Sequence, residues 1–304
     1  MIKPWDRYYT PHTLPEAIDI LEQYGGAARV VAGGTDLLLE IKQGRQPPVA
    51  ALVDITHIAE LARISEQDGE VFIGAAVTHT EVVRNALLAE RATCLVESCG
   101  VVGGPQVRNV ATLGGNVAHA LPAADGTTSL VALDADAEVW QGGARRRVNI
   151  LEMFKGPGKS ILDPTHDILL GFHVKLSGPH EASAFKRIMR PQGVALPILG
   201  CAVWVRLAED LHTVEETRIC ISPTAPVPIR AASVEEVLRG HAYDKGRLTL
   251  ALEVARRDIH PRASKYRATA EYRAEMIEVL LRRALPLAVE RARTGRAIPE
   301  GVGL

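Results

Sequence analysis

At 304 residues the chain is too long for one small core, so two cores, or one with a clear appendage, are expected. A composition of 47% hydrophobic and 23% charged residues with a formal net charge of -1 gives no global field that attracts nucleic acid or a membrane surface. No apolar run reaches the roughly 18–20 residues of a membrane span, and the start, M-I-K-P-W-D-R-Y-Y, has no signal-peptide apolar region, so a cytoplasmic location is expected.

Thr13-Leu-Pro-Glu16 reads as a capping box with proline just inside the helix start, and Leu14, Ala17, Ile18 and Leu21 follow at helical spacing. Gly25-Gly26 stops that helix. Residues 29–32 form a short buried strand, Gly33-Gly34 a turn, and Thr35 or Asp36 the cap of a helix over 37–42. An apolar strand over 49–55 completes a strand–helix–strand unit of the parallel α/β kind. A third strand covers 70–74. Thr78-His-Thr-Glu81 is a second capping box and opens one helix over about 79–98. A second Gly-Gly turn, Gly114-Gly115, follows Val110-Ala-Thr-Leu113. Asp125 can cap a helix running to about 133, and a hairpin turns at Gly142-Gly143. Beyond a boundary near 176–182, strands near 183–189, 199–207 and 214–222 precede helices near 231–239, 247–258 and 268–291, which suggests a separate α+β domain. The four cysteines, at 94, 99, 201 and 220, contain no C-x-x-C, and they read as buried small hydrophobes rather than metal ligands or disulfides. The run Arg145-Arg146-Arg147 reads as a solvated hairpin face.

The chemistry concentrates at two turns. A Gly-Gly turn after a strand and before a helix can aim backbone N–H groups at an anion, because glycine accepts positive φ and lets a phosphate approach without a Cβ. V-A-G-G-T-D-L, 31–37, has that form, and T-L-G-G-N, 112–116, adds the Thr112 hydroxyl and the Asn116 amide. Neither is a G-x-G-x-x-G or a Walker A loop. If both bind phosphate, Gly33→Val or Gly115→Val abolishes ligand retention while the fold persists, with Gly142→Val as the neutral control. Between 105 and 125 the chain is dense in side chains unsuited to a plain core: Gln106, Arg108, Asn109, Thr112, Asn116, His119 and Asp125. Arg108 suits either a ligand or an internal ion pair, and His119 reads as a rim histidine.

A-G-G-T-D-L-L-L, P-Q-V-R-N-V-A-T-L-G-G-N and P-A-A-D together resemble the FAD-binding medium subunit of molybdenum hydroxylases, the group of bacterial xanthine dehydrogenase and carbon monoxide dehydrogenase. The likeness continues through S-A-F-K, 183–186, and A-T-A-E-Y-R, 268–273, and covers nearly the whole chain. It implies an α+β fold: an FAD-binding α/β module of two subdomains, of the vanillyl-alcohol-oxidase (PCMH) type, plus a C-terminal domain of antiparallel sheet and helices. The domains are expected over 1–177 (subdomains about 1–57 and 58–177) and 182–291, with an exposed tail over 292–304. By the same resemblance, Val31, Ala32, Gly33, Gly34, Thr35, Asp36 and Leu37 line the pyrophosphate and adenine side of FAD. Thr112, Gly114, Gly115 and Asn116 form a second phosphate jaw. Asp125 bonds a ribose or ribityl hydroxyl, Val102 and Gly103 lie near the flavin, and Leu162 and Lys186 complete the pocket.

The resemblance further implies an electron-transfer role within a heteromeric enzyme. A large subunit carries the molybdopterin cofactor, a small subunit carries two 2Fe–2S clusters, and electrons leave FAD for NAD, a quinone or oxygen. A dimer of heterotrimers is the expected assembly, with no nucleic-acid partner. Flavin does the electron work and the protein supplies binding and orientation, so no catalytic dyad or triad is expected here. Two other readings are a self-sufficient flavin-dependent reductase of the same superfamily and a non-catalytic nucleotide-binding assembly subunit.

Overall fold

A computed structural model describes residues 4–190, 196–264 and 267–301. Strands β1 (Trp5–Tyr9), β2 (Ala28–Val31) and β3 (Val49–Asp54) form a parallel sheet in the order β1–β3–β2. Helix α1 (Leu14–Tyr24) links β1 to β2, and α2 (Leu37–Lys42) links β2 to β3. Leu14, Ala17 and Leu21 bury against Ala28, Ala51 and Val53 of the sheet, which is why the apolar spacing of α1 exists. The Thr13 hydroxyl accepts from Glu16 N at 3.3 Å, but the Glu16 carboxylate reaches back to His12 N at 2.9 Å, one residue before the cap. Gly25, at φ +51, ends the helix in the left-handed region. The sequence reading missed β1, whose polar central residues are exposed and carry no alternation.

The second module is an antiparallel sheet of β4 (Ile64–Gln67), β5 (Glu70–Gly74), β6 (Asp136–Gln141), β7 (Ala144–Asn149) and β10 (Ile168–Lys175), in the order β4–β5–β10–β6–β7. A small ribbon of β8 (Phe154–Gly156) and β9 (Lys159–Ser160) lies beside it. The single helix expected over 79–98 is three helices: α3 (His79–Arg84), α4 (Ala86–Arg91) and α5 (Thr93–Gly100). Asn85 leaves helical geometry at ψ 114 and its carboxamide oxygen caps α4 by accepting from Leu88 N at 3.0 Å; Ala92 breaks the chain again at ψ 44. The capping box at Thr78–Glu81 is complete in both directions. Three more helices follow: α6 (Pro105–Arg108), α7 (Leu113–Ala118) and α8 (Asp125–Ala132). In the β6–β7 hairpin, Arg145 pairs with Glu60 and Glu138, and Arg147 with Glu70, on an exposed face.

The C-terminal part is a second antiparallel sheet, β11 (Glu181–Met189), β12 (Pro197–Leu207), β13 (Thr213–Ser222) and β14 (His241–Ala242), carrying α9 (Ala232–Leu238), α10 (Lys245–Asp258) and α11 (Ala270–Thr294) on one face. Its other face meets α5 and α8, every residue of which is buried. Cys94, Cys99, Cys201 and Cys220 are free, buried thiols in these packed layers. The junction is fixed by Glu97 of α5, a fully buried carboxylate whose donors are Phe185 N at 2.6 Å, Arg291 Nη2 at 2.7 Å and Glu300 N at 2.8 Å. A buried carboxylate is tolerated only when paired and hydrogen-bonded in this way. The segment after α11 is largely exposed, as at Ile298, and is anchored at one point by the Glu300 N–H on Glu97. Among the described residues, no helix is long and apolar enough to cross a membrane.

Candidate functional site: a cleft between the modules

The first Gly-Gly turn lies where β2 runs into α2. Gly34 takes φ +66, and among the described residues no acceptor meets the N–H groups of Gly33, Gly34, Thr35, Asp36 or Leu37; the first bonded donor is Leu38 N, on Gly34 O at 3.0 Å. Unbonded backbone donors at such a turn make an anion-binding concavity. Asp36 occupies the cap position of α2 but makes no side-chain cap bond, contrary to the cap expected of it.

The second Gly-Gly turn is not a nest, and here the sequence reading is corrected. Its backbone donors are all used: Leu113 N on Val77 O at 3.0 Å, Gly114 N on Ala75 O at 3.1 Å, Gly115 N on the Thr112 hydroxyl at 3.0 Å, and Asn116 N on Thr112 O at 3.0 Å. Thr112 is the N-cap of α7. The Asn116 carboxamide oxygen accepts from the Thr127 N–H and hydroxyl, both at 3.2 Å, which ties α7 to α8 and leaves the amide NH2 without a partner among the described residues.

The glycines do different work from that expected. A Cβ at Gly33 would stand 2.1 Å from Val110 O, and one at Gly114 would stand 2.4 Å from Ala75 O. Both positions are glycine so that backbone can pass backbone, and Gly33 presses the first turn directly onto the chain that leads into the second. Only Gly115 is open toward the space between them, its added Cβ meeting just the Thr112 hydroxyl at 3.1 Å.

The two turns line a cleft of about 740 Å³, within the size range of ligand sites. Residues 31–37, Val102, Gly103, Thr112, Gly114, Gly115, Asn116, Asp125 and Leu162 all line it. Lys186 does not: its ammonium pairs with Glu300 at 2.6 Å, because adjacent strand residues face opposite sides. The β11 residue that reaches the cleft is Arg187, which the sequence reading missed. Its guanidinium donates to Asp125 Oδ2 at 2.7 Å, with side chains only 10% and 5% exposed. Asp125 is thus the first residue of α8 without capping it; Ala124 holds the cap position. The other Asp125 oxygen has no partner among the described residues, and burial pushes the carboxyl up to about 6 against the pull of Arg187.

His79 was also missed, since its place in a capping box reads as helix start. It is buried in the cleft wall, its Nδ1 lacks a partner among the described residues, and burial, helped by the Arg108 charge, pushes it down to about 4. The imidazole is therefore neutral at physiological pH. Arg108 donates to Val102 O at 3.3 Å and Gly103 O at 3.2 Å, which fixes the loop facing the cleft. His119 sits at the rim, 3.3 Å from Glu40.

A cleft between two modules, with unbonded backbone donors at one wall and orphaned polar atoms at another, makes this an α+β protein whose site suits an anionic, polar ligand. The chain belongs to the family described as the FAD binding domain in molybdopterin dehydrogenase, which matches residues 3–174; residues 183–288 match the CO dehydrogenase flavoprotein C-terminal domain. It is similar to the xanthine dehydrogenase FAD-binding subunit of Escherichia coli O157:H7, at 32% identity over 94% of this chain and 96% of the relative. It is also similar to the carbon monoxide dehydrogenase medium chain of Hydrogenophaga pseudoflava, at 30% identity over 96% of this chain and 99% of the relative. The solved carbon monoxide dehydrogenase of that organism, in a form lacking the Mo-pyranopterin moiety, superposes with a TM-score of 0.88 at 30% identity, over 96% of this chain and 99% of that one. The chain is thus an FAD-binding subunit of an oxidoreductase of the xanthine and carbon monoxide dehydrogenase type, an enzyme of several subunits.

Proposed function

We propose that this chain holds FAD in the cleft and passes electrons from two 2Fe–2S clusters of a small partner subunit to an external acceptor (NAD, a quinone or oxygen). A large partner subunit would hold the molybdopterin cofactor and oxidise the substrate. A dimer of heterotrimers in the cytoplasm is the assembly that accompanies this reading. The single observation that carries it is the meeting of the unbonded N–H groups of residues 33–37 with the Thr112–Asn116 turn across one cleft.

The donor set fits the cofactor. The free backbone donors of residues 33–37 would take the pyrophosphate, while Val31 and Ala32 fix that turn at the end of β2. Gly115, open to the cleft, and the free amide NH2 of Asn116 would face the ligand from α7. Asp125, held by Arg187, would meet a ribose or ribityl hydroxyl. Val102, Gly103 and Leu162 would supply apolar and backbone surface for the ring, and Arg108 keeps the 102–103 loop in place. Lys186 has no part in this arrangement. Bound flavin supplies the redox chemistry, and the protein's share is binding, orientation and exclusion of water.

The test is an absorption spectrum of the purified chain after incubation with FAD or FMN and desalting. FAD bands persist and FMN bands do not. Affinity-tagged chain from its native host co-purifies with molybdenum and iron. A folded chain that keeps neither flavin, alone or with its partners, overturns the cofactor assignment; one that turns over substrate as an isolated monomer overturns the subunit role.

A further inference from the structure

Asp125, in the wall of the cleft, is within electrostatic reach of Arg267, one of a group of arginines that do not line the cleft and that the FAD reading does not use. The turn before α11 is closed by Ser264 N on Ala268 O at 2.9 Å, which brings Arg262 and Arg267 to the start of that helix. Arg273, in its first turns, is 1% exposed; its Nη1 donates to Arg262 O at 2.7 Å and Pro223 O at 3.4 Å, and its Nε has no partner among the described residues.

None of these three arginines has a carboxylate within ion-pair distance among the described residues. Their charges act on one another, and the acid among the described residues whose charge acts on Arg267 is Asp125, already held by Arg187 at 2.7 Å. Glu271 is exposed and turned to its own cap at Thr269. The arrangement is costly twice over. Arg273, buried without an anion, loses solvation, and Arg267 and Arg273 stand at the N-terminus of a 25-residue helix, where they face the positive end of its dipole. An anion placed there offsets both costs.

We propose that Arg262 and Arg267, backed by the buried charge of Arg273, form a subsite for the phosphate or pyrophosphate group of a second ligand, beside the Asp125–Arg187 wall of the cleft. Arg262 and Arg267 are the accessible donors, and Arg273 supplies field rather than contact. Coupled to the electron-delivery role, on which this extension rests, the subsite favours a phosphate-bearing soluble acceptor over a neutral quinone or oxygen.

The test is calorimetric titration of the FAD-loaded full chain with inorganic pyrophosphate at constant ionic strength, with flavin content and melting temperature read on the same samples. Saturable binding is expected, weakened about tenfold by Arg267→Gln and lost in Arg262→Gln/Arg267→Gln, with flavin content and melting temperature unchanged. Equal binding by wild type and double variant, or no binding by either, overturns the subsite. Loss of FAD on Arg267→Gln assigns the cluster to the cofactor's own phosphates and overturns the second ligand. If wild type retains no FAD, the flavin reading fails by itself, and the same titration of the FAD-free pair of proteins still decides the subsite.

Discussion

Gly33→Ala separates the two roles a Gly-Gly turn can play. The added Cβ would lie 2.1 Å from Val110 O, 2.8 Å from Val110 C and 2.9 Å from Ala111 Cα. All three are backbone atoms, so no rotamer relieves the contact. Ordinary contact begins near 3.4 Å, so the turn and the 110–111 chain must part by about 1.3 Å. Overpacking of this kind costs about 3 kcal/mol, which for a unit this size lowers the melting temperature by roughly 6–12 °C. Gly115→Ala is the contrast. Its Cβ meets only a side-chain hydroxyl at 3.1 Å, and alanine improves helix propensity, so stability stays within about 1 kcal/mol of wild type. Differential scanning calorimetry without FAD, followed by flavin absorbance after loading and desalting, reads both effects. Gly33→Ala lowers the melting temperature and the flavin content together, whereas Gly115→Ala lowers flavin content alone. A Gly33→Ala protein with wild-type melting temperature refutes the backbone-contact argument, and a Gly115→Ala protein with full flavin refutes the placing of that glycine against the ligand.

Lys186→Ala leaves FAD affinity unchanged within about twofold, since the lysine makes only a partly exposed ion pair; Arg187→Ala, which strands a buried carboxylate, costs about 3–5 kcal/mol of stability and weakens FAD, as urea melts and flavin titration show. The carboxyl of Asp125 is raised to about 6, so the folded state binds its proton more tightly than the unfolded chain does: its contribution is present below pH 4 and is lost as pH rises through 6. His79, lowered to about 4, has the opposite sign, with stability present above pH 6.5 and lost as pH falls through 4. Urea unfolding from pH 4 to 7 therefore changes slope in opposite directions in Asp125→Asn and His79→Gln, and identical profiles contradict the burial argument. Gly142→Asn, in an open hairpin turn at φ +61 with nothing within 4 Å, keeps full flavin content; asparagine replaces the valine of the original control because it tolerates that φ.

What the sequence determined by itself was local. Thr13, Thr78 and Gly25 announce helix ends because caps act within three or four residues, and the apolar runs of β2, β3, β5 and β11–β13 announce strands for the same reason. The two Gly-Gly motifs, read together with their neighbours, also located the cleft. Tertiary structure decided the rest. Whether a glycine N–H is free or already bonded depends on Ala75, Val77 and Val110, which come from other parts of the chain. Lys186 and Arg187 are neighbours in one strand, and only the packing of α5 against β11, fixed by Glu97 and Arg291, chooses which of them faces the cleft. Asp125 looked like a helix cap until Arg187, sixty-two residues away in sequence, claimed its carboxylate. The cleft is lined from residue 29 to residue 197, so its chemistry is a property of segments that no local pattern relates and that only tertiary packing brings together.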